Sequence, residues 1–104
     1  MSNYKLLYLT CGSKLEANKI GKFLVNNKLA ACTNIISNVQ SFFKWNKKIS
    51  SSKEYILIGK TQRKNMKKII KNIKEQHSYD CPCILFFNIY HGNDKFLKWI
   101  KKNS

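Results

Sequence analysis

The chain has 104 residues, of which 43% are hydrophobic, and its 20 Lys and Arg residues against 5 acidic ones give a formal net charge of +15. This length and apolar content suit one core, so we expect a single domain over residues 1–104 and exclude a disordered chain. No apolar run is long enough for a secretion signal or a transmembrane helix, which predicts a cytoplasmic protein with no membrane partner. The four cysteines are then expected to be thiols.

The excess of basic residues has two interpretations. A net charge of +15 attracts nucleic acid or another polyanion. Nearly all of these residues are lysine, however, and only Arg63 supplies a guanidinium, the group best shaped for phosphate. Aromatic residues do not interleave with the lysines as a stacking platform would require. We therefore predict that nucleic acid is not the partner.

The first elements are a strand and a helix. The run Tyr4–Thr10 is apolar enough for a strand buried on both faces. Ser13 and Glu16 have the spacing of a capping box, which predicts a helix that begins after Ser13. Asn26–Asn27 predicts the end of this helix, because asparagine tolerates the left-handed conformation. The apolar stripe of this helix consists of Ala17, Ile20, Gly21 and Leu24.

The middle of the chain predicts two strands. Leu29–Trp45 is rich in β-prone residues and indicates a long strand, bent near Ser37–Asn38. Asn46–Lys48 predicts a hairpin turn, and we expect Ser50–Ser52 to be a short polar loop. The alternating run Glu54–Lys60 predicts the next strand.

The last third predicts a helix, a strand and a terminal helix. Thr61 is the expected N-cap of the second helix. Ile84–Tyr90 indicates a fourth strand, and Gly92–Asn93 opens the last helix. The apolar stripes of the two helices are Met66, Ile69, Ile70 and Ile73, and then Phe96, Trp99 and Ile100.

The order β-α-β-β-α-β followed by a helix predicts an α+β fold, a ferredoxin-like sandwich with an antiparallel sheet and both crossover helices on one face. The other face then needs a cover. Phe42, Phe43 and Trp45 supply more apolar surface than a small sheet normally leaves in water. We expect neighbouring copies of the chain to pack there.

The densest group of chemically active residues is the segment His77–Cys83. Imidazole and thiolate ligands suit Cu(I) and Zn(II), and an extended Cys81–Cys83 would point both thiols to the same side. The alternative is a helix-capping histidine followed by two small buried residues, which spacing alone favours. Buried cysteine usually acts as a small hydrophobe, and we expect this of Cys32.

The residues do not indicate an enzyme. The sequence has no nucleophile elbow, no glycine-rich phosphate loop and no close pair of carboxylates for general acid–base catalysis. Cys11 and His77 could form a nucleophile and its base, but nothing in the sequence brings them together.

Five segments together resemble the CutA family of divalent-cation tolerance proteins, in order and over nearly the whole chain. These segments are Leu29–Ile35, Ser41–Trp45 with Lys48–Ile49, Glu54–Thr61, His77–Pro82 and Gly92–Ile100. Where the family commonly has Pro-Glu, this chain has Pro82–Cys83, so a carboxylate has become a thiol.

The resemblance implies a homotrimer that contributes to the tolerance of copper and other heavy metals and to the cell's response to metal ions. It implies no established enzymatic reaction. It implies a metal site at His77 for copper or another divalent metal ion, with Cys83 in place of the family's carboxylate. The pattern of the residues themselves adds Cys81 as a second thiol ligand. It implies inter-subunit clefts near Trp45, Lys60, Tyr79 and Trp99. The alternative function is that of a trimeric signalling-type module that binds a small anionic ligand in these clefts, where Lys60 suits an anion.

Overall fold

The computed structural model describes residues 2–104, which form four strands and three helices around one sheet. The strands are all antiparallel to their neighbours, in the order β2-β3-β1-β4. This arrangement confirms the predicted α+β fold, its antiparallel sheet and its C-terminal helix. The elements are β1 (Tyr4–Cys11), α1 (Lys14–Asn26), β2 (Cys32–Trp45), β3 (Lys48–Gln62), α2 (Met66–Gln76), β4 (Ile84–Asn88) and α3 (Asp94–Asn103), and one 3-10 turn (Arg63–Asn65) precedes α2.

Helix α1 begins and ends close to the predicted residues. The Ser13 side chain accepts a hydrogen bond from the backbone N–H of Glu16, which satisfies one of the free donors of the first turn. The helix ends at Asn26 and Asn27 caps it, but Asn27 has a φ of −96°. The left-handed residue is Lys28, with a φ of 54°. The two asparagines therefore lie at the end of the helix as predicted, but neither adopts the left-handed conformation that the prediction assumed.

Strands β2 and β3 form a long hairpin, the arm, that gives the molecule its 45 Å length against widths of 25 and 24 Å. Asn46 and Lys47, both with positive φ, make its two-residue turn. The predicted polar loop Ser50–Ser52 is wrong, because these serines pair with Ser41–Phe43 of β2 and continue the ladder. A register shift between Ile36 and Val39 confirms the predicted bend.

Three predicted boundaries differ in the structure. Strand β2 begins at Cys32 and not at Leu29, since the N–H groups of Leu29 and Ala30 bond back to the end of α1. Thr61 is not the N-cap of α2. It is a fully buried residue of β3, and its hydroxyl donates to the Leu29 carbonyl at 2.5 Å. Strand β4 ends two residues before the predicted Tyr90.

The core lies between the sheet and helices α1 and α2. Alternate residues of β1 point to this side, so the strand is fully buried on one face only and not on both as predicted. Cys11 belongs to the core, whereas Cys32, expected there, is half-buried and pairs with Lys60 on the opposite face. The core residues are Leu7, Leu9, Cys11, Ala17, Ile20, Leu24, Leu29, Ala30, Leu57, Ile69 and Ile73.

The opposite face of the sheet, called the outer face below, is apolar and open. Cross-strand pairs place Tyr8, Ile58 and Leu85 side by side on it, and Phe87 is 51% exposed. The arm extends this surface with the exposed rings of Phe42 and Trp45. A small sheet rarely leaves such a continuous apolar surface in water.

Candidate functional site

The segment between α2 and β4 is attached to the sheet through His77. The imidazole Nε2 lies 2.8 Å from the carbonyl oxygen of Thr10, and the backbone N–H of Tyr79 donates to Nδ1 at 3.0 Å. Because a carbonyl oxygen can only accept, Nε2 carries the proton and Nδ1 is the acceptor. Both ring nitrogens are therefore engaged, and the side chain is fully buried.

Glu16 connects the same segment to the start of α1. Its carboxylate accepts the backbone N–H of Ser78 at 2.8 Å and the Ser78 hydroxyl at 3.2 Å, with a longer contact of 3.4 Å to the N–H of Gly12. Partial burial acts to raise the pKa of Glu16. The effect of burial is outweighed by the hydrogen bonds from Ser78, by the His77 ring and by the hydrogen bond from Gly12. Together they hold the pKa of Glu16 below its usual value.

Within residues 2–104, one group of at least three potential metal ligands lies close together, and it consists of Cys11, Glu16 and His77. Their ligand atoms all lie within 4.8 Å of one another. Burial, reinforced by the negative charges of Glu16 and Glu54, raises the pKa of the Cys11 thiol to about 12. The structure thus brings Cys11 and His77 together, but Cys11 remains a thiol and is not activated as a nucleophile. To bind here, a metal ion would have to break the hydrogen bonds of Glu16 and His77. We interpret the group as a structural tether.

A groove of about 780 Å³ runs between the outer face, the half of the arm nearer its turn and the segment after α2. Its size is typical of sites for small molecules. Its lining residues are Tyr8, Thr10, Ser41, Phe42, Phe43, Trp45, Ser52, Glu54, Ser78, Tyr79, Asp80, Cys81 and Cys83.

Glu54 forms part of the floor of this groove, with only 9% of its surface exposed. The Tyr79 hydroxyl donates to its Oε2 atom at 2.7 Å. Burial, this hydrogen bond and the charge of Glu54 raise the pKa of Tyr79 well above its usual range, so the phenol stays a donor. Sequence reasoning did not single out Glu54 as a site residue. Its one signal was that it opens the family-like segment Glu54–Thr61.

The two predicted thiol ligands, Cys81 and Cys83, both line the groove and lie on the segment that leads into β4. Cys81 is exposed and Cys83 is half-buried. Burial, reinforced by the charge of Glu54, raises the pKa of Cys83. His77 belongs to the group with Cys11 and Glu16 described above, and neither thiol of this pair is a member of it. The assignment of His77, Cys81 and Cys83 to one metal ion stays a prediction.

The four predicted cleft residues do not converge within one chain. Trp45 and Tyr79 line the groove, whereas Trp99 lines a shallow hollow of about 350 Å³ beside Phe96. The rings of Phe96 and Trp99 lie 5.4 Å apart, and both remain about two-fifths exposed, so Ile100 alone of the predicted α3 stripe is buried. Lys60 donates to the Asn34 side chain on the outer face.

Comparison with known proteins decides the family. Residues 5–103 match the family described as CutA1 divalent ion tolerance protein. The chain belongs to the CutA1 family. It is 39% identical over 97 residues to the divalent-cation tolerance protein CutA of Archaeoglobus fulgidus, covering 93% of this chain and 94% of that one. It is 31% identical to the chloroplastic protein CutA of Arabidopsis thaliana, but covers only 54% of that longer chain.

Solved structures of CutA1 proteins have the same fold. The divalent cation tolerance protein of Thermus thermophilus superposes with a TM-score of 0.95 at 31% identity, covering 97% of this chain and 98% of that one. The periplasmic CutA of Archaeoglobus fulgidus gives 0.93 at 38% identity, covering 96% and 97%. These names describe divalent-cation tolerance and not an enzymatic reaction.

The relatives' names place CutA1 proteins in more than one compartment, since one is called chloroplastic and another periplasmic. Over the part of the chain that the structure describes, none of the helices has the length and apolar character needed to cross a membrane.

Proposed function

We propose that this protein is a homotrimeric divalent-cation tolerance protein that binds copper or another heavy-metal ion at the thiols Cys81 and Cys83. Membership of the CutA1 family supports the tolerance role. The observation that carries the metal proposal is that two cysteines and the carboxylates of Glu54 and Asp80 line one groove.

These types of donor atom suit a soft or borderline ion, although within residues 2–104 of the single chain the four side chains do not form a compact group of three or more ligands, so an ion would have to draw them together. Thiolates select Cu(I) and Zn(II), and a carboxylate can complete the coordination of zinc. Cys81 is exposed, so an incoming ion can reach it first. His77 joins the ligands only if it releases Thr10 or Tyr79, so we expect its removal to weaken metal binding less than removal of Cys83.

The trimer part of the proposal is supported by the outer face and the arm. Ile49, Phe42 and Trp45 are 77%, 72% and 67% exposed in the single chain. Copies packed on these surfaces would remove them from water, at a gain of about 25 cal/mol for each Å² of apolar area. The cleft residues Lys60 and Trp99 would then meet Trp45 and Tyr79 across a subunit boundary. We place this role in the cytoplasm, where a reducing environment would keep all four cysteines as thiols.

The test is a competition titration of the reduced protein with Cu(I) and Zn(II), combined with its mass under native conditions. We expect a trimer that binds metal stoichiometrically. Cys81→Ser and Cys83→Ser should each weaken the binding at least tenfold. Cys32→Ser is the matched control, because Cys32 is also a partly accessible cysteine but does not line the groove. Equal metal affinity in all three variants would remove the proposed ligands, and a monomer at micromolar concentration would refute the trimer.

A further inference from the structure

The side of helices α1 and α2 that faces away from the sheet, called the basic face below, is strongly positive. Successive residues of an α-helix differ by about 100° around its axis, so the lysines of α2 fall within an arc of about 120°, opposite the buried Ile69 and Ile73. The 3-10 turn before α2 and the outward side of α1 add further basic side chains, and all of them are exposed. The residues of the basic face are Lys19, Lys22, Arg63, Lys64, Lys67, Lys68, Lys71 and Lys74.

These cations lack acidic partners in the chain. Within residues 2–104, the one pair of oppositely charged side chains closer than 4.0 Å joins His77 to Glu16, and it does not involve the basic face. Glu75, at the end of α2, is the only acidic residue in the stretch 63–76. Arg63 and Lys64 also precede α2, where the helix dipole is positive and repels them. The basic face is therefore a region of high positive potential that favours an anionic partner.

The proposed assembly leaves the basic face exposed. Helices α1 and α2 cover the core side of the sheet, whereas neighbouring copies would pack on the outer face and the arm. The lysine side chains of the basic face point away from the sheet altogether. Their positive potential consequently exists in a single chain and in a trimer.

The residue types of the basic face indicate which kind of polyanion fits. The 3-10 turn and α2 contain no aromatic residue on which a nucleic-acid base could stack. None of the apolar residues of α2 is exposed, so the helix offers nothing to insert into a lipid layer. Seven of the eight charges are lysine ammonium groups, which bind phosphate as point charges and require no fixed geometry. They form a row of about 10 Å from Lys67 to Lys74, at 1.5 Å per residue, and the 3-10 turn lengthens it.

We propose that the basic face binds linear inorganic polyphosphate, with its chain of charged phosphates along α2. Such a chain matches the row of lysines in shape and charge, and it needs neither a stacking platform nor an apolar anchor. A single phosphate ion should bind weakly, because the charges are spread along the helix and not gathered around one point. The inference agrees with the prediction that nucleic acid is not the partner, and it depends neither on metal binding nor on the trimer.

The experiment follows the fluorescence anisotropy of a long, end-labelled polyphosphate. This probe is titrated with the reduced full chain in its native assembly, with a chelator present so that no metal takes part. The unlabelled competitors, compared at equal total negative charge, are polyphosphate, inorganic phosphate, polyuridylate RNA, polyglutamate and phosphatidylserine vesicles. We expect polyphosphate to compete at least tenfold more strongly than any of the others. Added salt should weaken the binding steeply, because a polyanion releases its counterions when lysines neutralise it.

The triple variant Lys67→Gln, Lys71→Gln, Lys74→Gln removes three charges from the row and hardly changes helix propensity. We expect it to lower polyphosphate affinity at least tenfold. The slope of log affinity against log salt concentration should become smaller by about two to three, since three phosphate contacts are lost. All three side chains are exposed, so the variant should fold as the wild type does, which circular dichroism can verify.

The matched control is the triple variant Lys98→Gln, Lys101→Gln, Lys102→Gln. It removes the same net charge from exposed positions of another helix, α3, and should lower the affinity less than twofold. Glu75→Gln tests the opposite direction. It removes the one acidic side chain beside the row and should tighten the binding.

Three results would overturn the inference. The first is no polyphosphate binding at an ionic strength of about 0.15 M. The second is an equal loss of affinity in the two triple variants, because net charge and not the basic face would then be responsible. The third is that RNA, polyglutamate or vesicles compete as well as polyphosphate does, which would assign the face to another class of partner. None of these results touches the metal titration, so the proposed function is tested separately.

Discussion

Replacement of Glu16 by glutamine tests whether the carboxylate holds the segment after α2 in place. The change keeps the size of the side chain but converts one acceptor oxygen into a donor. The amide group must then face either the Ser78 N–H, which now lies 2.8 Å from Oε2, or the Ser78 hydroxyl and the Gly12 N–H near Oε1. One backbone N–H then loses its acceptor, and the other keeps only a neutral amide oxygen in place of the carboxylate.

The size of the effect follows from these contacts. A hydrogen bond to a charged group contributes about 1.5–3 kcal/mol, but Ser78 is exposed and water replaces part of it. We therefore expect the free energy of unfolding to fall by about 1–2 kcal/mol at pH 7. For a chain of this length each kcal/mol lowers the melting temperature by about 4–8 °C.

The pH dependence gives an independent check. The pKa of Glu16 is lower in the folded protein than its usual value, so its contribution is fully present above the unfolded pKa of about 4.3. The contribution is lost as the pH falls through the lower, folded pKa. The difference between wild type and Glu16→Gln should therefore be constant from pH 7 to 5 and should shrink below pH 4.

The assay is urea unfolding followed by circular dichroism, at one protein concentration because the stability of an oligomer depends on it. Glu75→Gln on the exposed side of α2 controls for the loss of a negative charge. Ser78→Ala removes only the 3.2 Å hydroxyl contact and should cost less than Glu16→Gln. A difference of no more than a few tenths of a kcal/mol at pH 7, or one that persists unchanged at low pH, would refute the tether.

Two further predictions concern buried groups. Thr61→Val leaves the Leu29 carbonyl without its 2.5 Å donor and removes the acceptor for the Asn65 side chain. The free energy of unfolding, measured with urea, should therefore fall by about 1–3 kcal/mol. Stability equal to that of the wild type would contradict this role. Burial raises the pKa of Cys11 to about 12, so iodoacetamide at pH 7.5 should modify Cys81 in the native protein and spare Cys11, as peptide mass spectrometry can show. Equal labelling of both thiols would mean that the core opens readily.

The sequence predicted correctly those helix and strand boundaries that depend on a few adjacent residues. The N-cap at Ser13 and the turn at Asn46 lie where expected because each depends on a few adjacent residues. Thr61 failed as a cap because its hydroxyl finds a better partner 32 positions away, in the Leu29 carbonyl. The serines at 50–52 are poor strand formers alone and become strand only through pairing with β2.

The candidate site was harder to predict because it is assembled across the chain. Alternation along β1 could have placed Cys11 on the same face as Leu7 and Leu9. Its approach to His77, 66 positions later, depends on how α2 packs on the sheet, which periodicity does not determine. Likewise, the place of Glu54 in an aromatic groove depends on the arm and on the segment before β4 meeting at one point.

The bulge between Ile36 and Val39 has a consequence for self-association. It interrupts β2, which is an outermost strand of the sheet and presents unpaired backbone groups along one side. Asn38, with its positive φ, breaks the flat template that another chain would need for continuous pairing. This interruption, together with the mutual repulsion of chains that each carry a charge of +15, limits amyloid-like growth from the outermost strand. Added salt screens the repulsion but leaves the interruption in place.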